Sequence, residues 1–461
     1  MAVLASLISL AFLMFVAYRG FSVILLAPVA AMIPVLLLQP GDVPLVFTGV
    51  FMERAVGFIK LYFPLFLLGA LFGKLMELSG FARALINWVA KRTGGRAAVG
   101  PVVLVSALLT YGGVSLFVVV FAVYPFAAEL FRQAKVPKRL LPASMALGAF
   151  SFTMDALPGT PQIQNIIPTS FFGTTAWAAP WLGLIGSAFI AALGTAYLQW
   201  RVRAAGDEGY GENHLNEPVS LPDAAPANPI RALLPLVTVV AANALFATAV
   251  ARSFGPEVSV ALPGVATVVT AKTSSVAAIW ALEGALLLAI LLVIALRFRH
   301  VVEGFSERTR PAIAGALLAA MNTASEYGYG AVIAALPGFI AVRNAVALIP
   351  DPLVNAAVVT TTLAGITGSA SGGLGIALGA MGERFGAAAQ AAGIPLEVMH
   401  RVTAMASGGM DALPHNGAVI TVLAVTGLTH RQAYKDIFAI TLIKTAAVFV
   451  VIGVFYATGI T

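Results

Sequence analysis

Apolar residues in this chain fall into long runs at about 2–17, 22–38, 56–79, 176–200, 230–254, 276–297, 312–340 and 437–458. Each approaches the ~20 residues that one crossing of a bilayer needs, so the pattern predicts a chain of spanning helices. The first run, Ala2 to Ala17, has no basic residue ahead of it and no small-residue cleavage site, and reads as a spanning helix, not a signal peptide. The one long polar stretch, Arg201 to Pro229, carries Asp207, Glu208, Glu212, Glu217 and Asp223 among glycines and prolines. It reads as a cytoplasmic linker, 201–229, between a first transmembrane repeat, 1–200, and a second, 230–461.

Two apolar regions are interrupted in the middle. Ala97 to Ala128 is broken by Thr110-Tyr111-Gly112-Gly113-Val114-Ser115, and Val354 to Ala380 by Thr367-Gly368-Ser369-Ala370-Ser371-Gly372-Gly373. Both ends of the first region are basic, which places both on the side that collects Lys and Arg. A re-entrant hairpin with a glycine-rich tip follows, and the second region predicts another. Its following loop, Gly382 to Glu397, holds Arg384 against Glu383 and Glu397, whereas the corresponding loop, Glu129 to Arg139, holds Arg132, Lys135, Lys138 and Arg139 against Glu129. Opposite charge bias in equivalent loops predicts two repeats of inverted topology. Basic segments at Arg19, Lys91 to Arg96, Arg201/Arg203, Arg297 to Arg310 and His430 to Lys435 then lie inside. The expected fold is an all-α polytopic membrane protein of about eleven spanning helices and two re-entrant hairpins, in two inverted repeats with broken helices.

A shared motif supports the duplication. Met154-Asp155-Ala156-Leu157-Pro158 recurs as Met410-Asp411-Ala412-Leu413-Pro414, each time in an apolar run. Gly80-Phe81 and Gly338-Phe339 precede the two hairpins, and Ala134-Lys135-Val136-Pro137 and Ala392-Gly393-Ile394-Pro395 precede the two motifs. An aspartate and a proline inside a membrane helix are costly unless the helix is interrupted there, so each motif predicts a break.

Composition agrees: 59% of residues are hydrophobic, 10% are charged, and the mean hydropathy is +0.93. The net charge of +7 belongs to cytoplasmic loops rather than to nucleic-acid binding. The chain has no cysteine, which removes disulfides, thiolate metal sites and cysteine nucleophiles. No cofactor is expected.

Broken helices expose backbone donors and acceptors at mid-membrane, with anions favoured at the N-termini of half-helices and cations at their C-termini. The first break supplies Thr160, Gln162 and Asn165, the second His415 and Asn416, and the tips Gly112, Gly113, Ser115, Ser369, Ser371 and Gly372. These are the expected substrate-binding residues, and amides and hydroxyls of this kind suit a small polar anion. Asp155, Asp411, Glu326 and His415 are the candidates for ion coupling; for the two aspartates the structural alternative is a helix cap at the break. Lys60 and Lys74 are expected to snorkel or to pair with Glu77.

At these residues the chain resembles the gluconate permease family of bacterial inner-membrane symporters. The resemblance runs over nearly the whole length and rests on Gly112 to Phe117, on Ala134 to Pro137 with the proline-rich break after it, and on Gly368 to Gly372 with the second break. Ala406 to Gly417, continued by Gly427-Leu428-Thr429-His430-Arg431, looks more like the D-β-hydroxybutyrate permease branch, and Pro158-Gly159-Thr160-Pro161 departs from the Pro-Gly-Pro-type run of gluconate permeases. The resemblance implies inverted repeats, a substrate held between tips and breaks, homodimers, elevator-type alternating access and proton coupling, with sodium used by more distant relatives. The expected function is proton-coupled symport of a small organic monocarboxylate such as 3-hydroxybutyrate, with gluconate or another sugar acid as the alternative. Two other classes compete: an intramembrane enzyme using Asp155 and Asp411 as a carboxylate dyad, against which stands the absence of His-Glu-x-x-His and Gly-x-Ser-x-Gly motifs, and a passive channel.

Overall fold

The computed structural model describes residues 2–19, 21–93, 98–114, 116–211, 228–261, 263–264, 268–303, 305–338, 349–414 and 416–461. Ser115 and His415 lie outside them, as does most of the linker. Labelled in chain order, the helices of nine residues or more are α1 (Ala2–Tyr18), α2 (Val23–Leu38), α3 (Glu53–Leu78), α4 (Phe81–Thr93), α5 (Val99–Tyr111), α6 (Leu116–Gln133), α7 (Leu141–Ala149), α8 (Ile163–Phe172) and α9 (Pro180–Ala204). After the linker come α10 (Pro229–Ser253), α11 (Thr273–Val302), α12 (Phe305–Ala335), α13 (Pro352–Thr367), α14 (Ala370–Ala391), α15 (Leu396–Ser407), α16 (Gly417–Thr426) and α17 (His430–Thr458). This is an all-α polytopic membrane protein, and among the described residues five helices are by themselves long and apolar enough to cross a bilayer. Of the other crossings, α1 and α2, at 17 and 16 residues, reach only about 25 Å at ~1.5 Å per residue, while α12 runs for 31 residues.

The expected spans correspond to α1, α2, α3, α9, α10, α11, α12 and α17. One element was not expected: between α10 and α11, strands β1 (Glu257–Val260) and β2 (Val269–Lys272) pair antiparallel, Glu257 opposite Lys272 and Val260 opposite Val269. Its alternation of Val with Ser and Thr is too short to register beside two spanning runs. Lys74 pairs with Glu77 at 2.7 Å, as the sequence predicts.

The helices form two packed groups. In one, α2 packs on α12 and α11 on α3, so the second helix of each half crosses to the third of the other, with α1 and α10 outside. In the other, the two arms α13 and α14 and the paired α5 and α6 surround α7, α8, α15 and α16, with α9 and α17 packed together behind them. The hairpin tips face the junction of the groups, where α12 meets α14 and α11 meets α8.

Helix α17 serves as a ruler, since its 29 residues span about 43 Å, enough to cross the whole bilayer. Near its start, buried Asp436 accepts from Arg201 Nε at 2.5 Å and Tyr197 Oη at 2.8 Å and lies 3.6 Å from Arg139. Arg139 follows the second arm of the first hairpin and also grips Glu208 through two bonds of 2.8 and 2.7 Å. Near its end, Tyr456 donates to Asp351, whose side chain caps the first arm of the second hairpin by accepting from Val354 N at 2.8 Å. The bases of the two hairpins therefore sit at opposite ends of α17. Asp436→Asn leaves two guanidinium groups without their shared carboxylate, and a fall of about 2–3 kcal/mol in unfolding free energy in detergent is expected, below the ~3–5 of a fully enclosed pair because water reaches both arginines. The Arg139–Glu208 contact is a lesser effect. Hydrogen bonding from Arg139 holds the Glu208 carboxyl below its ordinary range, so its contribution is present above that range and is lost as pH falls through the lowered value.

Candidate functional site

The first break begins where α7 stops at Ala149. A single turn, Phe152–Asp155, ends at the motif aspartate, and the chain then runs extended and turned through Pro158 and Pro161 to the start of α8. Two prolines within four residues remove backbone donors and forbid a continuous helix. The loose segment is held by side chains: Thr160 Oγ1 donates to Thr153 O at 2.6 Å, Asn165 Nδ2 to Thr160 O at 3.0 Å and Ala176 O at 2.8 Å, and Tyr111 Oη to Pro158 O at 2.9 Å. The second break runs from Gly408 to Asn416, between α15 and α16. Both half-helices after the breaks are ten residues long and end in a left-handed glycine, Gly173 or Gly427.

Each break is fastened to the hairpin of its own half by the residue that opens the half-helix. Gln162 Nε2 donates to Thr110 O at 2.7 Å, on the first tip. Asn416 Nδ2 donates to Gly368 O at 2.7 Å, on the second, while its Oδ1 caps α16 by accepting from Ala418 N at 2.6 Å and Val419 N at 2.9 Å. Gln162 makes no such side-chain cap, so the first-turn donors of α8 are left to other partners. The second tip is shorter than its glycine and serine content predicts. Ser369 Oγ accepts from Gly372 N at 3.1 Å and caps α14, which draws Ala370 to Gly373 into its first turn.

The two motif aspartates meet at a residue that neither motif contains. Lys444, midway along α17, places Nζ 3.1 Å from Asp411 Oδ1 and 3.8 Å from Asp155 Oδ2 and donates to Phe150 O at 2.5 Å. All three side chains are buried. Neither carboxylate oxygen of Asp155 has a hydrogen-bond partner, so this aspartate is no helix cap. Gly408 makes the meeting possible: a Cβ there would lie 1.8 Å from Asp155 Oδ2 and 3.0 Å from Lys444 Nζ.

A second buried cation, Arg401, projects from α15 into the first break with none of its surface exposed. Its Nε donates to Ala178 O at 3.1 Å, Nη1 to Asp155 O at 3.2 Å and Asn165 Oδ1 at 2.9 Å, and Nη2 to Ala178 O at 2.7 Å and Ala176 O at 3.4 Å. His400 beside it contacts Thr174 Oγ1 at 2.6 Å and Asn165 Oδ1 at 3.3 Å. The Asn165 amide is thus engaged at both ends. Glu326 stands apart. It rises from α12 against the second tip, so close to Gly372 that a Cβ there would lie 1.9 Å from Oε2, and that oxygen has no hydrogen-bond partner. Ser371 Oγ lies 3.4 Å from Thr323 Oγ1, one helical turn before Glu326.

The structure therefore brings Asp155 and Asp411 together, sets Gln162 and Asn416 as paired fasteners, and places Glu326 with Ser369, Ser371 and Gly372. Lys444, Arg401 and Gly408 are the residues that the sequence reading lacks. The signal for the first was present, since one lysine interrupts the apolar run from Ile437 to Phe455, and an intramembrane base is costly without acidic partners.

Interrupted helices and re-entrant hairpins from two halves, converging on buried charges inside a multi-pass helical bundle, define a membrane transporter. No protein-family model matches the chain. The uncharacterized transporter YxjC of Bacillus subtilis (strain 168) is 53% identical over 471 aligned positions that cover 100% of both chains, and the chain belongs to that transporter's family. Among solved structures, the YdaH transporter of Alcanivorax borkumensis, described as having an unusual topology, superposes with a TM-score of 0.56 over 88% of each chain at 16% identity, a likeness of fold.

Proposed function

We propose that this transporter is a proton-coupled symporter of a small organic monocarboxylate, with a short hydroxy acid such as 3-hydroxybutyrate as its substrate. What supports the reading is that each hairpin tip is fastened to the half-helix after the break of its own half, by Gln162 and by Asn416, inside the packed bundle. In this reading the substrate is lined by the first tip at Gly112 and Gly113, the break from Thr160 to Asn165, the second tip from Ser369 to Gly372 and the break at Asn416, through backbone donors and hydroxyls rather than a cation. The N-terminus of α8, lacking a side-chain cap, favours a carboxylate. A short acid presents one carboxylate and one hydroxyl to such a set.

Charge supports the coupling. Asp155 and Asp411 are balanced by Lys444 and Arg401, so an anion entering this neutral group needs an accompanying cation. Glu326, with an unpartnered oxygen at the second tip, is well placed to take a proton beside the substrate. The two packed helix groups support alternating access by movement of the hairpin-bearing group against the other. Uptake of labelled 3-hydroxybutyrate into proteoliposomes tests this: an imposed proton gradient should drive accumulation above equilibrium, unaffected by excess gluconate and reduced at least ~100-fold by Glu326→Gln. Competition by gluconate would move the substrate to sugar acids, equilibration without accumulation would indicate a channel, and accumulation driven by sodium alone would overturn the proton.

A further inference from the structure

Three oxygens from both halves of the chain surround the end of Lys444: Phe150 O and Asp155 Oδ2 from the first break, Asp411 Oδ1 from the second. Carbonyl and carboxylate oxygens converging from separate elements in a buried setting are the ligand set of a small hard cation. Asp155 is decisive, because both its oxygens are buried without a hydrogen-bond partner and one is aimed at this point. The other charged or titratable groups nearby are engaged elsewhere: Arg401 is held by backbone carbonyls and Asn165, and Tyr434 Oη donates to Ala412 O at 3.2 Å.

We propose that the Lys444 ammonium is a built-in cation occupying a latent sodium site formed by Phe150 O, Asp155 and Asp411, and that it makes transport independent of sodium. The inference deepens the proton-coupled reading and rests on it for its consequence, but the site itself is a matter of cation binding. The ammonium bridges two carboxylates across the two breaks, as a bound sodium would, while its tether to α17 prevents release. Removing the side chain leaves two acidic groups and one carbonyl around the place of the ammonium, with Arg401 as the remaining positive charge. Sodium entering that space restores neutrality.

The test needs no substrate, so it stands apart from the identity of the solute. Thermal unfolding of the purified full-length protein in detergent is followed while sodium chloride replaces choline chloride at constant ionic strength. The wild type should be indifferent. Lys444→Ala and the bulkier, apolar Lys444→Met should melt lower in choline, and Lys444→Ala should regain about 3 °C or more with saturable sodium dependence. Adding Asp155→Asn to Lys444→Ala should erase that gain. Saturable stabilisation of the wild type by sodium would overturn the proposal, as would a folded Lys444→Ala protein indifferent to sodium. Should neither Lys444 variant fold, the wild-type titration alone decides, indifference supporting the proposal and stabilisation rejecting it.

Discussion

Arg401→Ala is expected to yield no monodisperse protein after extraction, or a protein whose unfolding free energy is lower by about 4–6 kcal/mol. The five donors of the guanidinium are spread over the Asp155 carbonyl in the first break, the Asn165 amide in α8 and the Ala176 and Ala178 carbonyls between α8 and α9. Each acceptor left buried and unpaired costs ~1–3 kcal/mol, and the emptied volume adds to it. Domains of ordinary stability have ~5–15 kcal/mol in total, so this loss approaches the whole. Arg401→Lys should recover part of the stability, since an ammonium serves some of the same carbonyls but lacks the planar fork. A competing role, direct capture of the substrate carboxylate, makes the opposite forecast: Arg401→Ala would then fold normally and fail only in uptake. A melting temperature within about 2 °C of wild type would decide for that role.

The second large effect is expected at Gly408. The backbone there is ordinary right-handed geometry, so alanine meets no conformational objection. The obstacle is the Asp155 carboxylate, 1.8 Å from where Cβ would stand. Either Asp155 moves away from Lys444 or α15 shifts at its end, and both separate the two breaks. Gly408→Ala should therefore keep most of its stability, losing about 1–3 kcal/mol, while proton-driven uptake falls at least ~100-fold. Gly379→Ala is the control, since nothing lies within 4 Å of its Cβ position and helix propensity favours the change. Uptake by Gly408→Ala at the wild-type rate would show that the approach of Asp155 to α15 is immaterial.

What the sequence made legible follows from what repeats in it. Glycine-rich interruptions mark the hairpin tips because a turn inside a membrane needs residues with little side chain, and the doubled Met-Asp-Ala-Leu-Pro marks the breaks because proline and aspartate are expelled from continuous spans. Lys444 was obscured because one base scarcely moves the mean hydropathy of a 29-residue helix. Arg401 was obscured because its partners are carbonyls, which every sequence contains and none advertises. The cap reading of Asp155 rested on local neighbours, whereas its charged partner comes from the last helix. The fastening amides Gln162 and Asn416 were seen as polar groups at breaks; that each would spend its side chain on a hairpin tip is a fact of tertiary packing.

Those two fasteners carry a consequence for the direction of traffic. Under the alternating access proposed above, a hairpin tip bolted to its own half-helix would travel with it, so the cavity that opens to one face of the bilayer would have the same walls when it opens to the other. Binding strength would then be alike on both faces, and these fasteners would give the proposed symport no preferred direction. Cells that exhaust their gradient, or accumulate the solute internally, would see the same protein discharge what it had gathered.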